Sequence, residues 1–387
     1  MMDELFYKRP DDIEFDTDVV SCVKGEKGYE VVLKDTLFYP EGGGQLCDTG
    51  EINGISVIDV QRKEDVIVHT MTAPLEVNRK VHGKIDVIVR KDHTEAHSAE
   101  HIISGIVHHM FGYDNVGFHM GDVITMDFNG PITQEQVKDI ETKANMVIRE
   151  DHPIYITYPS SEELSHMTYR SKKELSGTVR IVEVEGIDVC ACCGTHVSST
   201  GKIGIIHILS CEKHKQGVRM RMLAGRRALV YIQTAMSCLN GISKELCVPV
   251  QDTLSAVQST LHKKAQLEGQ LHAKILEEAE QIYQSMVEDQ KISTMFLTDM
   301  NSSDIAKFAD RLLKEKHCYT AGVFNKEENG YRYVLLCEKD FPQGFAKVFN
   351  AKINGRGGGR GNVIQGSCQA ERDVIEKILE ELVCEEI

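Results

Sequence analysis

The first part of the chain alternates short apolar runs with glycine-containing breaks. Residues 29–33 and 55–60 predict strands, because both runs are rich in β-forming residues. Glycines at 42–44 and at 50 break the chain between these runs. Several short strands joined by glycine turns are typical of a small barrel. We therefore predict a β-barrel-like N-terminal domain over residues 1–88.

Beyond residue 88 the apolar positions change to helical spacing. Ala99, Ile102, Ile103 and Ile106 recur at intervals of three and four, which predicts a helix over 93–110. The patterns that follow predict strands over 123–128, 179–184 and 203–209 and a helix over 134–149. Because strands and helices mix without strict βαβ alternation, the predicted fold class is α+β. One α+β domain is expected over 89–224.

The remaining sequence predicts two further units. Residues 225–291 show helical spacing that Pro249 divides in two, which indicates a helical spacer, a weak coiled-coil hairpin or an ordinary packed helix. Residues 292–387 alternate predicted strands and helices and indicate a separate C-terminal α/β domain. Its glycine-rich segment at 355–361 is predicted to be a loop.

Composition indicates the cellular compartment in which the chain is expected to work. No apolar run is long enough to span a bilayer, and the N-terminus lacks the pattern of a secretory signal. With 12 cysteines, the chain is expected in the reducing cytoplasm, with its thiols free or bound to metal.

The net charge of −15 argues against non-specific binding to nucleic acid, but the charge is uneven. The stretch from Lys213 to Arg227 holds six basic and no acidic residues, and 344–362 holds four basic and no acidic residues. Both segments are compatible with a phosphate-backbone partner. Ordinary solvated surfaces explain the same pattern.

Two short clusters carry the candidate chemistry. His97 and His101 lie one helical turn apart, a spacing at which two imidazoles can chelate one ion. Cys192 and His196 form a second pair about ninety residues later. Together these four side chains offer the nitrogen and sulfur ligands that tetrahedral zinc prefers.

The spacing leaves alternatives open within both clusters. His93 forms a second histidine pair with His97, and Cys190 or Cys193 can replace Cys192 as the sulfur ligand. The helix segment also matches the inverted zinc-peptidase pattern His-x-x-Glu-His, with Glu100 as general base. The cysteine cluster weighs against the peptidase interpretation.

Three motifs, taken in order, resemble those of alanyl-tRNA synthetase editing domains. They are the glycine-rich segment from Thr36 to Gln45, followed by Asp48-Thr49-Gly50; the pair His97 and His101; and the stretch Cys192-Cys193-Gly194-Thr195-His196. Only 35 residues precede the first motif, so no ATP-binding synthetase domain is expected before it. The chain therefore resembles the free-standing AlaX-type editing proteins. The long form of that family carries a C-terminal extension, and the segment at 355–361 is similar to the DHH-associated domain that ends alanyl-tRNA synthetases.

The resemblance implies a trans-editing hydrolase with a zinc cofactor. It implies zinc ligation by His97, His101, Cys192 and His196, and it departs from the family at Cys193, where glycine is frequent. The implied reaction is hydrolysis of mischarged tRNA(Ala), chiefly Ser-tRNA(Ala) and also Gly-tRNA(Ala). A non-catalytic tRNA-binding protein with structural zinc remains an alternative.

The resemblance and the local chemistry also suggest roles for individual residues. Thr36 is expected to face the serine hydroxyl, Gln45 to orient water or the terminal adenosine, and Glu100 to act as general base. The remaining candidates are substrate-approach positions at Gly42, Gly43 and Gly44 and tRNA contacts at Lys213, Lys215, Arg219, Arg221, Arg356 and Arg360. The acceptor end of tRNA(Ala) is the expected partner, and a homodimer through the spacer or the C-terminal domain is a further expectation.

Overall fold

The computed structural model describes residues 4–171 and 178–386, with side chains described as far as residue 383. The chain divides into two compact units, residues 1–240 and 241–387, and each is described by itself. The mixture of helices and strands confirms the predicted α+β class. Across the described ranges, no helix combines the length and hydropathy that a membrane crossing requires.

A closed six-stranded barrel forms the start of the first unit. The elements are α1 (Leu5–Lys8), β1 (Glu14–Lys24), β2 (Tyr29–Leu33), β3 (Gly50–Ile52), β4 (Ile55–Lys63), β5 (Val66–Met71) and β6 (Lys80–Ile85). The strand order is β1-β2-β5-β4-β3-β6, and antiparallel pairing of β6 with β1 closes the ring. Buried side chains such as Phe15, Val31 and Phe38 fill its interior. The small barrel predicted from the alternating pattern is confirmed.

A buried helix, α2 (Val87–Phe111), follows the barrel directly. The carboxylate of Asp86 accepts hydrogen bonds from the backbone N–H groups of Ile88 and Val89, which caps the first turn. Gly112, with φ of 69°, ends the helix in the left-handed conformation. The helix thus starts six residues before the predicted position, because Asp86 supplies a cap that apolar spacing does not reveal.

Two antiparallel sheets complete this part of the first unit. Its elements are β7 (Asn115–Met120), β8 (Ile124–Phe128), α3 (Gln134–Glu150), β9 (Ile154–Thr157), α4 (Ser161–His166), β10 (Ile181–Val184), β11 (Asp188–Ala191), β12 (Ile206–His214) and β13 (Gly217–Ala224). The sheet orders are β12-β13-β8-β7 and β11-β10-β9. Apolar side chains of α2, α3 and both sheets share one core. This packing brings the end of β11 close to the middle of α2.

The second unit contains a five-stranded sheet with helices. The boundary between the units lies within α5 (Gly225–Leu246), and the later elements are α6 (Thr253–Ser285), β14 (Ile292–Thr298), α7 (Ser302–Glu315), β15 (Thr320–Glu327), β16 (Gly330–Cys337), α8 (Phe345–Lys352), β17 (Gly355–Arg360), β18 (Val363–Cys368) and α9 (Arg372–Glu386). The sheet order is β14-β15-β16-β18-β17. As predicted, Pro249 lies between two helices, where it precedes a 3-10 turn at Val250–Asp252.

The glycine-rich segment is a strand rather than the predicted loop. Residues 355–360 form β17, which pairs with β18 along its whole length. A Cβ atom at Gly357 would lie 2.4 Å from the carbonyl oxygen of Gln365, and one at Gly359 would lie 1.9 Å from that of Val363. The glycines therefore permit a close backbone approach that larger residues exclude. Only Gly361, with φ of 69°, has the turn conformation expected of a loop.

A buried ion pair joins helix α2 to the barrel segment between β2 and β3. The guanidinium of Arg90 bonds both carboxylate oxygens of Asp48, with Nε to Oδ2 at 3.0 Å, and donates from Nη2 to the carbonyl oxygen of Leu37 at 2.6 Å. Asp48 also accepts from the backbone N–H of Tyr39 at 2.7 Å. Both side chains are buried, so this network fixes the glycine-rich segment against the helix.

Substitution of Arg90 by methionine is predicted to destabilise the first unit strongly. The change leaves the carboxylate of Asp48 buried without its partner, which typically costs about 3–5 kcal/mol. The matched control is Arg79→Met, which removes an exposed pair with Glu76 and is expected to cost at most about 1 kcal/mol. Urea unfolding followed by circular dichroism measures both changes, and equal losses would contradict a structural role for the buried pair.

Candidate metal centre

Helix α2 presents two histidines on successive turns toward the interior. His97 and His101 are both buried, and their ring centroids lie 5.6 Å apart. Ala99, Ile102 and Ile103 anchor the helix in the core. The helix therefore holds both imidazoles at fixed positions before any ion binds.

The second pair lies on the loop that follows β11. The backbone N–H of Cys192 donates to the carbonyl oxygen of Arg180, and the Arg180 side chain returns a bond from Nη1 to the carbonyl oxygen of Cys192 at 2.8 Å. A Cβ atom at Gly194 would lie 2.0 Å from Nδ1 of His97. Only glycine lets the loop pass this close to the helix. The loop then places His196, which is buried, against the two helix histidines.

The four predicted side chains meet at one point. One ligand atom from each of His97, His101, Cys192 and His196 lies within 4.8 Å of the others. The sulfur of Cys192 is 3.3 Å from Nε2 of His97 and 3.4 Å from Nε2 of His196. Three imidazoles and one thiol in this arrangement can hold a metal ion.

Two of the histidines are oriented by polar partners at their other ring nitrogen. Nδ1 of His97 lies 2.8 Å from the amide oxygen of Gln45, and this oxygen can only accept. Nδ1 of His196 lies 3.3 Å from the hydroxyl of Ser98, whose own proton is donated to the carbonyl oxygen of Thr94. Both rings therefore carry their proton on Nδ1, which leaves the Nε2 lone pair for an ion.

The third histidine is held by a carboxylate. Nδ1 of His101 donates to Oδ2 of Asp188 at 2.9 Å. Arg170 bonds both oxygens of this carboxylate, each at 2.7 Å. Carboxylate–histidine pairs of this kind fix the ring and increase its basicity toward a metal.

The charges of the cluster favour a thiolate. Burial alone raises the pKa of Cys192, but the imidazoles of His97, His196 and His101 hold it well below its ordinary value. Burial likewise lowers the pKa of His101, whereas Cys192 and Asp188 raise it to about 10. Burial lowers the pKa of His196 to about 3. The protein thus stabilises a sulfur anion, the form of cysteine that binds metals.

Gln45 reaches the cluster from a tight turn. Reciprocal backbone bonds join Gly42 and Gln45, and Gly43 and Gly44 between them have φ of 62° and 86°. Gln45 is fully buried, and its amide bonds the backbone N–H and the hydroxyl of Thr195 at 2.9 Å each. Its amide therefore joins the glycine-rich turn to the loop that carries Cys192 and His196, as well as to His97.

Two other predicted site residues, Glu100 and Thr36, lie in different parts of the first unit. Oε1 of Glu100 accepts from Ser104 and Asn115, and its Oε2 lies 3.9 Å from Nε2 of His101. Thr36 lies against the barrel, where its hydroxyl is 2.9 Å from Nε2 of His69. These contacts place the carboxylate of Glu100 beside the cluster.

The alternative ligands lie apart from the four-atom cluster. Cys190 is buried on β11, in a grouping with His101 and Asp188, whereas Cys193 is exposed. The carbonyl oxygen of Cys193 accepts from the hydroxyls of Tyr7 at 2.5 Å and Tyr39 at 3.2 Å. These bonds hold the loop beside Cys192.

The predicted tRNA contacts lie on strands or at turns. Lys213, Arg219 and Arg221 are exposed on β12 and β13, and Lys215, with φ of 53°, lies in the hairpin between them. Arg219 forms a two-pronged pair with Asp127 at 2.7 and 2.8 Å. In the second unit, Arg356 and Arg360 are exposed on β17.

A cleft of about 930 Å³ lies beside the residues that support the four-residue cluster. Its lining includes Asn115, which bonds Glu100, Asp188, which bonds His101, and Arg170, which bonds Asp188, but not the four residues that meet at the cluster. The cleft therefore reaches the supporting residues rather than the ligand atoms.

Sequence reasoning missed the residues that orient the ligands. The fold brings these residues to the cluster from separate parts of the chain. They are Ser98 on α2, Arg170 after α4 and Asp188 on β11. One usable signal was position, because Asp188 precedes the cysteine cluster and Ser98 follows His97 directly.

Comparisons with known proteins agree with the motifs. Residues 179–219 match the family described as the second additional domain of threonyl and alanyl tRNA synthetases, and residues 10–89 match class II (A) tRNA synthetases. The zebrafish (Danio rerio) alanyl-tRNA editing protein Aarsd1 is 33% identical over 263 residues, which cover 63% of this chain and 64% of that protein. The mouse (Mus musculus) protein of the same name is 34% identical over 265 residues, with the same coverage.

A longer alignment connects the chain to a synthetase. The alanine–tRNA ligase of Methanococcus maripaludis is 28% identical over 396 residues, which cover 97% of this chain and 43% of the ligase. The chain spans just under two thirds of the length of the editing proteins that it matches, at 64%. These matches confirm the resemblance that the motifs predict: in sequence, the chain is similar to the alanyl-tRNA editing proteins.

Proposed function

We propose that the chain is a trans-editing hydrolase that deacylates mischarged tRNA(Ala). The proposed substrates are chiefly Ser-tRNA(Ala) and also Gly-tRNA(Ala), and the cofactor is zinc. The observation that carries the proposal is the meeting of His97, His101, Cys192 and His196 beside a glycine-rich turn, in a chain similar to proteins named for alanyl-tRNA editing.

The donor set supports zinc as the ion. Zinc–sulfur bonds of about 2.3 Å and zinc–nitrogen bonds of about 2.0–2.1 Å place the two ligand atoms about 3.5 Å apart at tetrahedral angles. The observed sulfur–nitrogen distances of 3.3 and 3.4 Å are close to that value. When bound, zinc supplies a fixed positive charge and Lewis acidity.

The chain's own residues are proposed to prepare the centre and move the proton. Gln45, Ser98 and Asp188 hold the three imidazoles by Nδ1, so Gln45 acts by positioning His97. We assign the general base to Glu100, whose Oε2 lies close to His101 and accepts a proton from the attacking water. The water oxygen bonds the ester carbonyl carbon, the bond to the ribose oxygen breaks, and that oxygen takes up the proton.

Selectivity for serine is proposed to depend on Thr36. A synthetic pocket sized for alanine rejects glycine weakly and an added hydroxyl only modestly, so a second site is required. A buried threonine hydroxyl that bonds serine would be left unpaired by alanine, which costs roughly 1–3 kcal/mol. Gly42, Gly43 and Gly44 are proposed to admit the acceptor end of the tRNA close to the backbone.

The exposed basic strands are proposed to bind the tRNA backbone. Lys213, Lys215 and Arg221 lie on one hairpin, whereas the charge of Arg219 is partly neutralised by Asp127. Arg356 and Arg360 on β17 are proposed as a second contact region. A homodimer remains a prediction that a measurement of molecular mass in solution would test.

Substitution of Cys192 by serine is predicted to remove both zinc and activity. The change replaces a soft thiolate by a poor ligand, so we expect zinc affinity to fall by more than about 100-fold. Metal analysis and deacylation of Ser-tRNA(Ala) and Ala-tRNA(Ala) measure the result. The control is Cys193→Ser, which changes the neighbouring exposed thiol and is expected to retain zinc.

Three outcomes of this experiment would count against the proposal. A zinc-loaded wild-type protein that deacylates neither substrate would contradict the proposed function and favour a structural ion. Zinc and activity retained by Cys192→Ser would contradict the ligand assignment. Loss of zinc in Cys193→Ser with retention in Cys192→Ser would move the sulfur ligand to Cys193.

Substitution of Arg221 by alanine is predicted to weaken tRNA binding without changing specificity. One lost phosphate contact reduces the slope of log affinity against log salt by about 1. Fluorescence anisotropy with labelled tRNA at several salt concentrations measures this slope. The control is Arg79→Ala on the barrel, and an equal change in both variants would show that only net charge matters.

A further inference from the structure

A histidine that the proposed reaction does not use lies at the centre of the barrel. His69 is fully buried on β5, and its ring packs edge-on against Phe38 with 5.4 Å between centroids. Nδ1 lies 3.1 Å from the carbonyl oxygen of Val31, and Nε2 lies 2.9 Å from the hydroxyl oxygen of Thr36. Both ring nitrogens are therefore engaged, one with the backbone and one with a candidate selectivity residue.

The carbonyl oxygen of Val31 decides which nitrogen carries the proton. A carbonyl oxygen can only accept, so the bond at 3.1 Å requires a proton on Nδ1. Burial lowers the pKa of His69 to about 4, so the ring is neutral near pH 7 and carries a single proton. Nε2 is consequently an acceptor, and the bond at 2.9 Å must use the proton of Thr36.

The hydroxyl oxygen of Thr36 also accepts a hydrogen bond from the backbone. The N–H of Phe38 donates to Oγ1 of Thr36 at 3.1 Å, which uses one of its two lone pairs. With its proton given to His69, the hydroxyl retains one lone pair and no proton to offer. Any additional partner of Thr36 must therefore be a hydrogen-bond donor.

We propose that His69 is a positioning residue for selectivity, because it makes the Thr36 hydroxyl an acceptor only. The inference rests on the proposed function, in which Thr36 faces the side chain of the misacylated amino acid. Serine satisfies the remaining lone pair by donating its hydroxyl proton. Alanine and glycine have no side-chain donor and leave the lone pair unpaired.

The path of the chain connects this pair to the metal centre. Three residues after Thr36, the hydroxyl of Tyr39 contacts the carbonyl oxygen of Cys193, beside the ligand Cys192. Asp48 fixes the backbone N–H of Tyr39 at 2.7 Å. The segment that carries Thr36 is thus held at Tyr39 through both its side chain and its backbone, which suits a residue whose hydroxyl direction determines selectivity.

The test compares Ser-tRNA(Ala) with Gly-tRNA(Ala) in a double-mutant cycle of His69→Leu and Thr36→Val. The readout is the ratio of the two kcat/KM values, in which any general effect on folding or zinc content cancels. We expect each single variant to lower the ratio by about three- to tenfold, the usual value of one hydrogen bond. The double variant should lose no more than Thr36→Val alone, because His69 acts through that hydroxyl.

The variant His69→Gln controls for the possibility that His69→Leu does not fold. His69→Gln retains an acceptor near the position of Nε2 and should restore most of the ratio. Nitrogen-15 NMR of histidine-labelled wild-type protein, with the His69 signal assigned from its loss in His69→Gln, should show a neutral ring protonated on Nδ1. This measurement needs no stable leucine variant.

Each failure has a separate meaning. A wild-type protein that deacylates neither substrate defeats the proposed function itself. Loss of selectivity in Thr36→Val with an unchanged ratio in His69→Leu overturns the role of His69 alone. Additive losses in the double variant, or a His69 ring protonated on Nε2, also overturn it.

Discussion

The ion pair between Arg90 and Asp48 is the constraint on which the site depends. It is buried, and it binds one end of helix α2 to the segment that leads from the glycine-rich turn into β3. The helix carries His97 and His101, and the turn carries Gln45, which orients His97. Loss of the ion pair would therefore displace the helix and the turn relative to each other. Burying two charges is expensive, and here the backbone groups of Leu37 and Tyr39 provide the additional hydrogen bonds that such a pair requires.

The same principle of oriented donors and acceptors operates at the metal centre. Each imidazole bonds an acceptor through Nδ1, and the acceptors come from three different parts of the chain: Gln45, Ser98 and Asp188. The Nε2 atoms of the three rings therefore face the cluster before an ion arrives. A site arranged in this way loses little conformational freedom on binding, because the fold has already fixed the side chains.

The sequence predicted features that depend on local pattern. The barrel and the strand over 29–33 followed from β-forming runs between glycine breaks, and the helix break followed from Pro249. The pairing of histidines on one helix face followed from their spacing. The strand at 355–360 was missed because glycine has a low strand propensity, and its pairing with β18 is a tertiary effect. Arg170 was missed because an isolated basic residue gives no sign of its partner, and the only sign of Asp188 was its position before the cysteine cluster. The family resemblance supplied the candidate roles of Thr36 and Gln45, which spacing alone could not.

The two buried polar networks differ in what they leave available to a substrate. At the candidate metal centre, four side chains could complete the coordination of one ion, which would leave the ion no open position for distinguishing substrates. In the barrel, the hydrogen-bonded series Val31–His69–Thr36 ends in one lone pair that no described residue uses. A hydroxyl with a fixed direction discriminates better than one that can rotate, since a rotating hydroxyl adapts to donors and acceptors alike. In the proposed function the two networks therefore have different roles: the four-residue cluster would fix the reacting end of the pocket, and the buried neutral His69 would fix the polarity of the end that distinguishes the side chain.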